Sequence, residues 1–194
     1  MNVTSVQKIA RVLHALVLIA LVCNVVILYL VPVAVLSGGP SLLEGVGEYL
    51  GGILHPGEDD IVMAGIAASL LSWFWCWQDP ETLALTLFLV VSGVCTAVIL
   101  WQGKRVLETI LRGEPFSMEN AVSLRRAAVC AFLIALAALA RVVFGLLFYR
   151  SLAPLLTYNA LFVPIFAMFG LLCLIMSALF RQAAELKAEN DLTI

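Results

Sequence analysis

Four stretches of the chain stay apolar for about the length of a bilayer crossing, and most polar residues fall between them. Crossing roughly 30 Å of hydrocarbon takes about 20 residues of helix. Segments at about 11–35, 83–102, 127–149 and 160–180 meet that length and predict four transmembrane helices. A fifth stretch, "IVMAGIAASLLSWFWCW" over 61–77, is uncharged but short, and it ends in Trp73, Trp75 and Trp77. At the N-terminus Lys8 and Arg11 precede an apolar run from Val12 to Leu36. A secretory signal has a core of only about 7–15 apolar residues, so this run reads as an uncleaved first span.

Lys and Arg in the connecting segments set the direction. The segment 103–126 carries Lys104, Arg105, Arg112, Arg125 and Arg126. The long segment 37–82 has neither Lys nor Arg, but carries Glu44, Glu48, Glu58, Asp59, Asp60, Asp79 and Glu81. Both termini and the basic segment are therefore expected in the cytoplasm, and 37–82 outside. A fifth span at 61–77 would put the basic segment outside, so that stretch is expected as an interfacial or re-entrant helix with its tryptophans at headgroup level.

The basic segment has the pattern of a helical hairpin. Apolar Trp101, Val106, Leu107, Ile110 and Leu111 continue the helical period past the second span. Gly113 is placed as a C-terminal cap, and Pro115 cannot continue the helix. Ser117 is expected to cap the next helix, with Glu119 at the positive end of its dipole. A helix from Met118 to about Tyr149 would be about 48 Å long, so it should project beyond the membrane. After the fourth span, 181–194 is polar. Its good helix formers predict helix through about Glu189, then an extended "DLTI" with Leu192 and Ile194 on one side.

Composition agrees with the pattern. The 194 residues are 63% hydrophobic and 12% charged, against about half and a quarter in soluble domains. The fold class is all-α: a polytopic four-transmembrane-helix bundle with an outer interfacial helical segment, built as a single transmembrane domain. A net charge of −2 gives no pull toward nucleic acid, and no direct nucleic-acid binding is expected. The five cysteines have neither disulfide nor zinc spacing, and four lie in apolar runs where a thiol packs as a small hydrophobe.

Candidate chemistry is sparse. Arg141 lies within the third span, where a charge is costly and normally faces the bundle interior. The stripe Ala127, Ala131, Ile134, Ala138, Arg141, Gly145 is mostly small and predicts close helix approach. Asn24 and Ser92 fall at similar depth on the first and second spans, and no acid lies in any span. These three residues are a candidate intramembrane polar site for an anion or polar ligand. The alternative is a structural Arg141 that snorkels outward or bonds backbone carbonyls. "HPGEDD" over 55–60 has oxygen ligands of the kind calcium or magnesium takes, but reads as a solvated acidic turn. His14 has no acid or cysteine near it in sequence. No metal site, cofactor or catalytic residue is expected, because the nucleophile-elbow, zinc-helix, phosphate-loop and dinucleotide motifs are missing.

Two stretches, "GEPFSMENAVSLRR" (113–126) and "FRQAAELKAENDLTI" (180–194), together with the spacing of the four spans, resemble a bacterial inner-membrane family of unassigned function. It is the domain-of-unknown-function family twenty-nine seventy-five. Its members are often encoded beside a very small helix-turn-helix regulator, so the resemblance implies a membrane partner for a DNA-binding protein. The matching residues are Phe116, Ser117, Glu119 and Asn120 in the hairpin and Glu189, Asn190, Asp191, Leu192 and Thr193 in the tail. With Ile194, they are the expected partner-binding surface on the cytoplasmic side. The function so implied is a non-enzymatic sensor or anchor for that regulator. The alternative is a small-solute channel or carrier using Arg141 and Asn24. Expected partners are the lipid bilayer, the regulator and a second copy of the chain.

Overall fold

The computed structural model describes residues 3–36, 70–74, 79–114 and 116–191. Among them there is no strand. Helix α1 covers Val3–Leu36, α2 covers Pro80–Leu111 and α3 covers Met118–Tyr149. A 3-10 turn over Ala153–Leu156 leads into α4, Tyr158–Asp191. Each long helix contains a stretch long and apolar enough to cross a membrane. The chain is an all-α, multi-pass membrane protein, as its hydropathy pattern predicts. Of the stretch 61–77 only a helical turn at 70–74 is described, so its expected interfacial placement lies outside the described residues, as does "HPGEDD".

Residues 1–25 and 91–194 form one compact unit, and 26–90 form another. The first is organised around α3. Its buried face includes Ala127, Ala131, Ile134, Ala138 and Gly145, the small stripe seen in the sequence. Small side chains let α4 come close, and α3 pairs with α4 extensively. At Gly170 of α4 a Cβ would lie 3.0 Å from Cζ of Phe132. At Gly145 it would lie 3.1 Å from Cγ of Pro154, the ring that starts the turn into α4. The opposite faces carry exposed Leu136, Leu147, Ile165, Met168 and Leu172, as a lipid-facing surface requires.

Helix ends follow local chemistry. Gly113 has φ +85°, the left-handed cap that glycine adopts without a Cβ penalty. The Ser117 hydroxyl accepts from the backbone N–H of Asn120 at 3.3 Å and caps α3. At its other end α3 is closed by Arg150 in left-handed conformation, φ 47°. α4 runs through Pro164 and reaches Asp191, close to the end expected from propensity.

In the second unit Val31, Pro32, Ser72, Thr86 and Phe88 are buried. Asp79 precedes α2 and accepts from the Thr82 backbone N–H at 3.0 Å and from the Thr82 hydroxyl at 2.9 Å. These bonds favour the carboxylate and hold Asp79 below its ordinary value. The folded value is the lower one. The cap is therefore complete above the ordinary carboxylate range and is lost as pH falls through the depressed value.

Candidate functional site

The chemistry-bearing residues gather at the end of the bundle where α2 turns into α3. Asn120, in the first turn of α3, is 0% exposed. Its Oδ1 lies 2.8 Å from the Thr109 hydroxyl of α2. That hydroxyl is also 2.8 Å from the Val106 carbonyl. Its single proton serves one acceptor at a time. At the next residue, the Ala121 carbonyl accepts from the Ser177 hydroxyl of α4 at 2.7 Å. Phe116, at the hairpin tip, meets Phe180 of α4 with ring centroids 5.8 Å apart. Three helices are thus tied at one level: α2 to α3 by Thr109 and Asn120, and α4 to the hairpin by Ser177 and Phe180.

Charges surround this lock. Arg105 of α2 pairs with Glu119 of α3 at 3.4 Å. Glu108 lies 3.5 Å from Lys104 and 3.6 Å from Nε2 of His14 on α1, a contact that is an ion pair only when the imidazole is protonated. Lys104 also sits 4.9 Å from the centroid of the Trp101 ring. On α4, Arg181 donates to Glu185 at 2.9 Å. These pairs are partly exposed, and such pairs contribute about 0–1 kcal/mol each. The enclosed Asn120 contact outweighs them. The neighbour of His14 differs from the sequence expectation. Glu108 lies far off in the chain, and the fold brings its carboxylate to 3.6 Å from the His14 imidazole.

The expected partner surface therefore divides. Ser117 caps α3, Glu119 pairs with Arg105 while remaining exposed, and Asn120 is enclosed. Phe116 remains 54% exposed despite its contact with Phe180. Glu189, Asn190 and Asp191 lie on the last turns of α4. Leu192, Thr193 and Ile194 fall outside the described residues. Exposed Leu186 lies on the same extension.

The second candidate set is placed inside the bundle. Arg141 is half-buried beside the small stripe. Its Nε, the Oδ1 of Asn24 and the Oγ of Ser92 are each enclosed, with no hydrogen-bond partner among the described residues. Among those residues no group of three His, Cys, Asp or Glu side chains is placed to hold a metal ion.

Fold and site together define a multi-pass helical membrane protein whose polar contacts concentrate in one basic hairpin. The chain belongs to the family described as protein of unknown function (DUF2975), whose family model matches residues 62–194. The match covers the hairpin, α3 and α4, and with them both stretches that carried the resemblance. No curated protein and no solved structure matches the chain.

Proposed function

We propose that the protein is a non-enzymatic sensor or anchor of the bacterial inner membrane. Both termini face the cytoplasm, and the basic hairpin with the polar extension of α4 holds a small helix-turn-helix regulator. The observation that carries this is the Phe116–Phe180 contact. It joins the hairpin tip to the root of the extension, so the two stretches that mark the family share one surface. That surface offers the outer face of Phe116 and the 66%-exposed Leu186 amid charged residues. Apolar anchors with a polar rim suit a protein partner better than a catalytic pocket. Co-expression with the regulator encoded beside such proteins tests it. Phe116→Ser with Leu186→Asp should weaken co-purification about tenfold or more at normal folded yield. Undiminished binding by that variant and by a chain lacking residues 190–194 would rule the surface out.

A second reading, a channel or carrier for a small polar solute, is favoured by the three unpartnered atoms of Arg141, Asn24 and Ser92. The readings separate at Arg141→Leu. Regulator co-purification stays unchanged if the hairpin does the work. Loss of anion flux in proteoliposomes at unchanged thermal stability would instead place function inside the bundle.

A further inference from the structure

Between α2 and α3 lies a cavity of about 340 Å³, lined by Arg105, Met118, Glu119, Val122, Ser123 and Arg126. Pockets for small ligands fall in the range of about 300–1,000 Å³. Arg126 immediately precedes the apolar run of α3, and Arg105 lies just past the end of the second apolar run. The cavity thus sits where hydrocarbon gives way to headgroups. Its two cations come from different helices. Arg105 is shared with Glu119 at 3.4 Å, whereas Arg126 has no acid within ion-pair distance among the described residues. Met118 and Val122 are apolar and exposed, and Ser123, 2% exposed, closes the floor with a hydroxyl.

We infer that this cavity binds the headgroup of an anionic phospholipid in the leaflet on the hairpin side. A guanidinium fork matches phosphate oxygens in pairs. The apolar wall suits the glycerol and first methylenes that hang below the phosphate. Two arginines against one glutamate leave one net positive charge, which complements a headgroup bearing one net negative charge and discriminates against a zwitterion. A basic pocket between helices at a membrane surface is suited to lipid headgroups. The inference is independent of whether the hairpin also holds a regulator.

The test is native mass spectrometry of the full-length chain with phosphatidylglycerol, phosphatidylcholine or inorganic phosphate added. Phosphatidylglycerol should be retained over phosphatidylcholine. Arg126→Gln should weaken its binding about fivefold, the worth of one basic side chain at such a surface, and Arg105→Gln with Arg126→Gln should weaken it further. Glu119→Gln should strengthen binding, because it frees Arg105 and removes the like charge; a folding defect cannot raise affinity. The neighbouring Arg125→Gln should have little effect, since Arg125 does not line the cavity. Equal losses at Arg125 and Arg126 would mean diffuse surface charge, and weaker binding in Glu119→Gln would remove the geometry. Displacement of the lipid by millimolar inorganic phosphate would make this a site for soluble phosphate. Each of these three results overturns the proposal.

Discussion

Gly170→Leu should lower the midpoint of thermal unfolding in detergent by about 2–12 °C. A Cβ at residue 170 would already stand 3.0–3.2 Å from the Phe132 ring, closer than carbon atoms sit comfortably. A leucine adds three further carbons at a buried position of α4. Overpacking of this kind costs about 1–3 kcal/mol, and for a chain of this size each kcal/mol moves the midpoint by about 2–4 °C. Phe132→Ala supplies the control. Its truncation empties the space that the leucine needs, so the double variant should recover much of the loss. A double variant as unstable as the sum of the two changes would mean that the helices do not meet at this point. Leu136→Ala, on the exposed face of α3, should change the midpoint little.

Asn120→Ala should cost about 1–3 kcal/mol, the range for removing one partner from a buried hydrogen bond. The side chain is fully enclosed, and its contact with Thr109 ties the end of α2 to the first turn of α3. Thr109 keeps the Val106 carbonyl as an alternative acceptor, which holds the loss within that range. The change should also loosen the hairpin, read as faster amide hydrogen exchange over 106–120 while the span of α3 stays protected. Exchange that is unaltered there, with an unaltered midpoint, would show that the Thr109 contact is dispensable. Ser117→Ala acts at the same place through the backbone N–H of Asn120, and its cost should be smaller, about 1 kcal/mol.

Much of the fold was legible because its determinants are local. The four long apolar helices, the left-handed Gly113, the Ser117 cap and the Met118–Tyr149 extent of α3 all follow from residues a few positions apart. The small stripe of α3 was legible too, since close helix approach leaves a periodic trace. Arg141 is the one member of that stripe absent from the buried set of α3, a side chain too long for a seam of alanines. The site was less legible. Phe116 in a hairpin motif gives no sign that its ring will meet Phe180, and Asn120 has the look of a surface residue until Thr109 is placed beside it. The pairing of His14 with Glu108 joins helices far apart in sequence, and no spacing rule reports it. Residues that the family motif suggested for partner binding thus turn out in part to hold the hairpin together. Phe116 has no part in the capping of α3; it packs against Phe180 of α4.

A cytoplasmic regulator can reach the hairpin only if the hairpin faces the cytoplasm. Single-cysteine variants of a cysteine-free chain, labelled in intact cells with a membrane-impermeant maleimide, test this directly. A cysteine at position 114, in the hairpin, should react only after permeabilisation. A cysteine at position 58, in the acidic segment, should react from outside. Labelling at 114 in intact cells, with 58 protected, would invert the topology and contradict the proposal that the hairpin receives a cytoplasmic regulator.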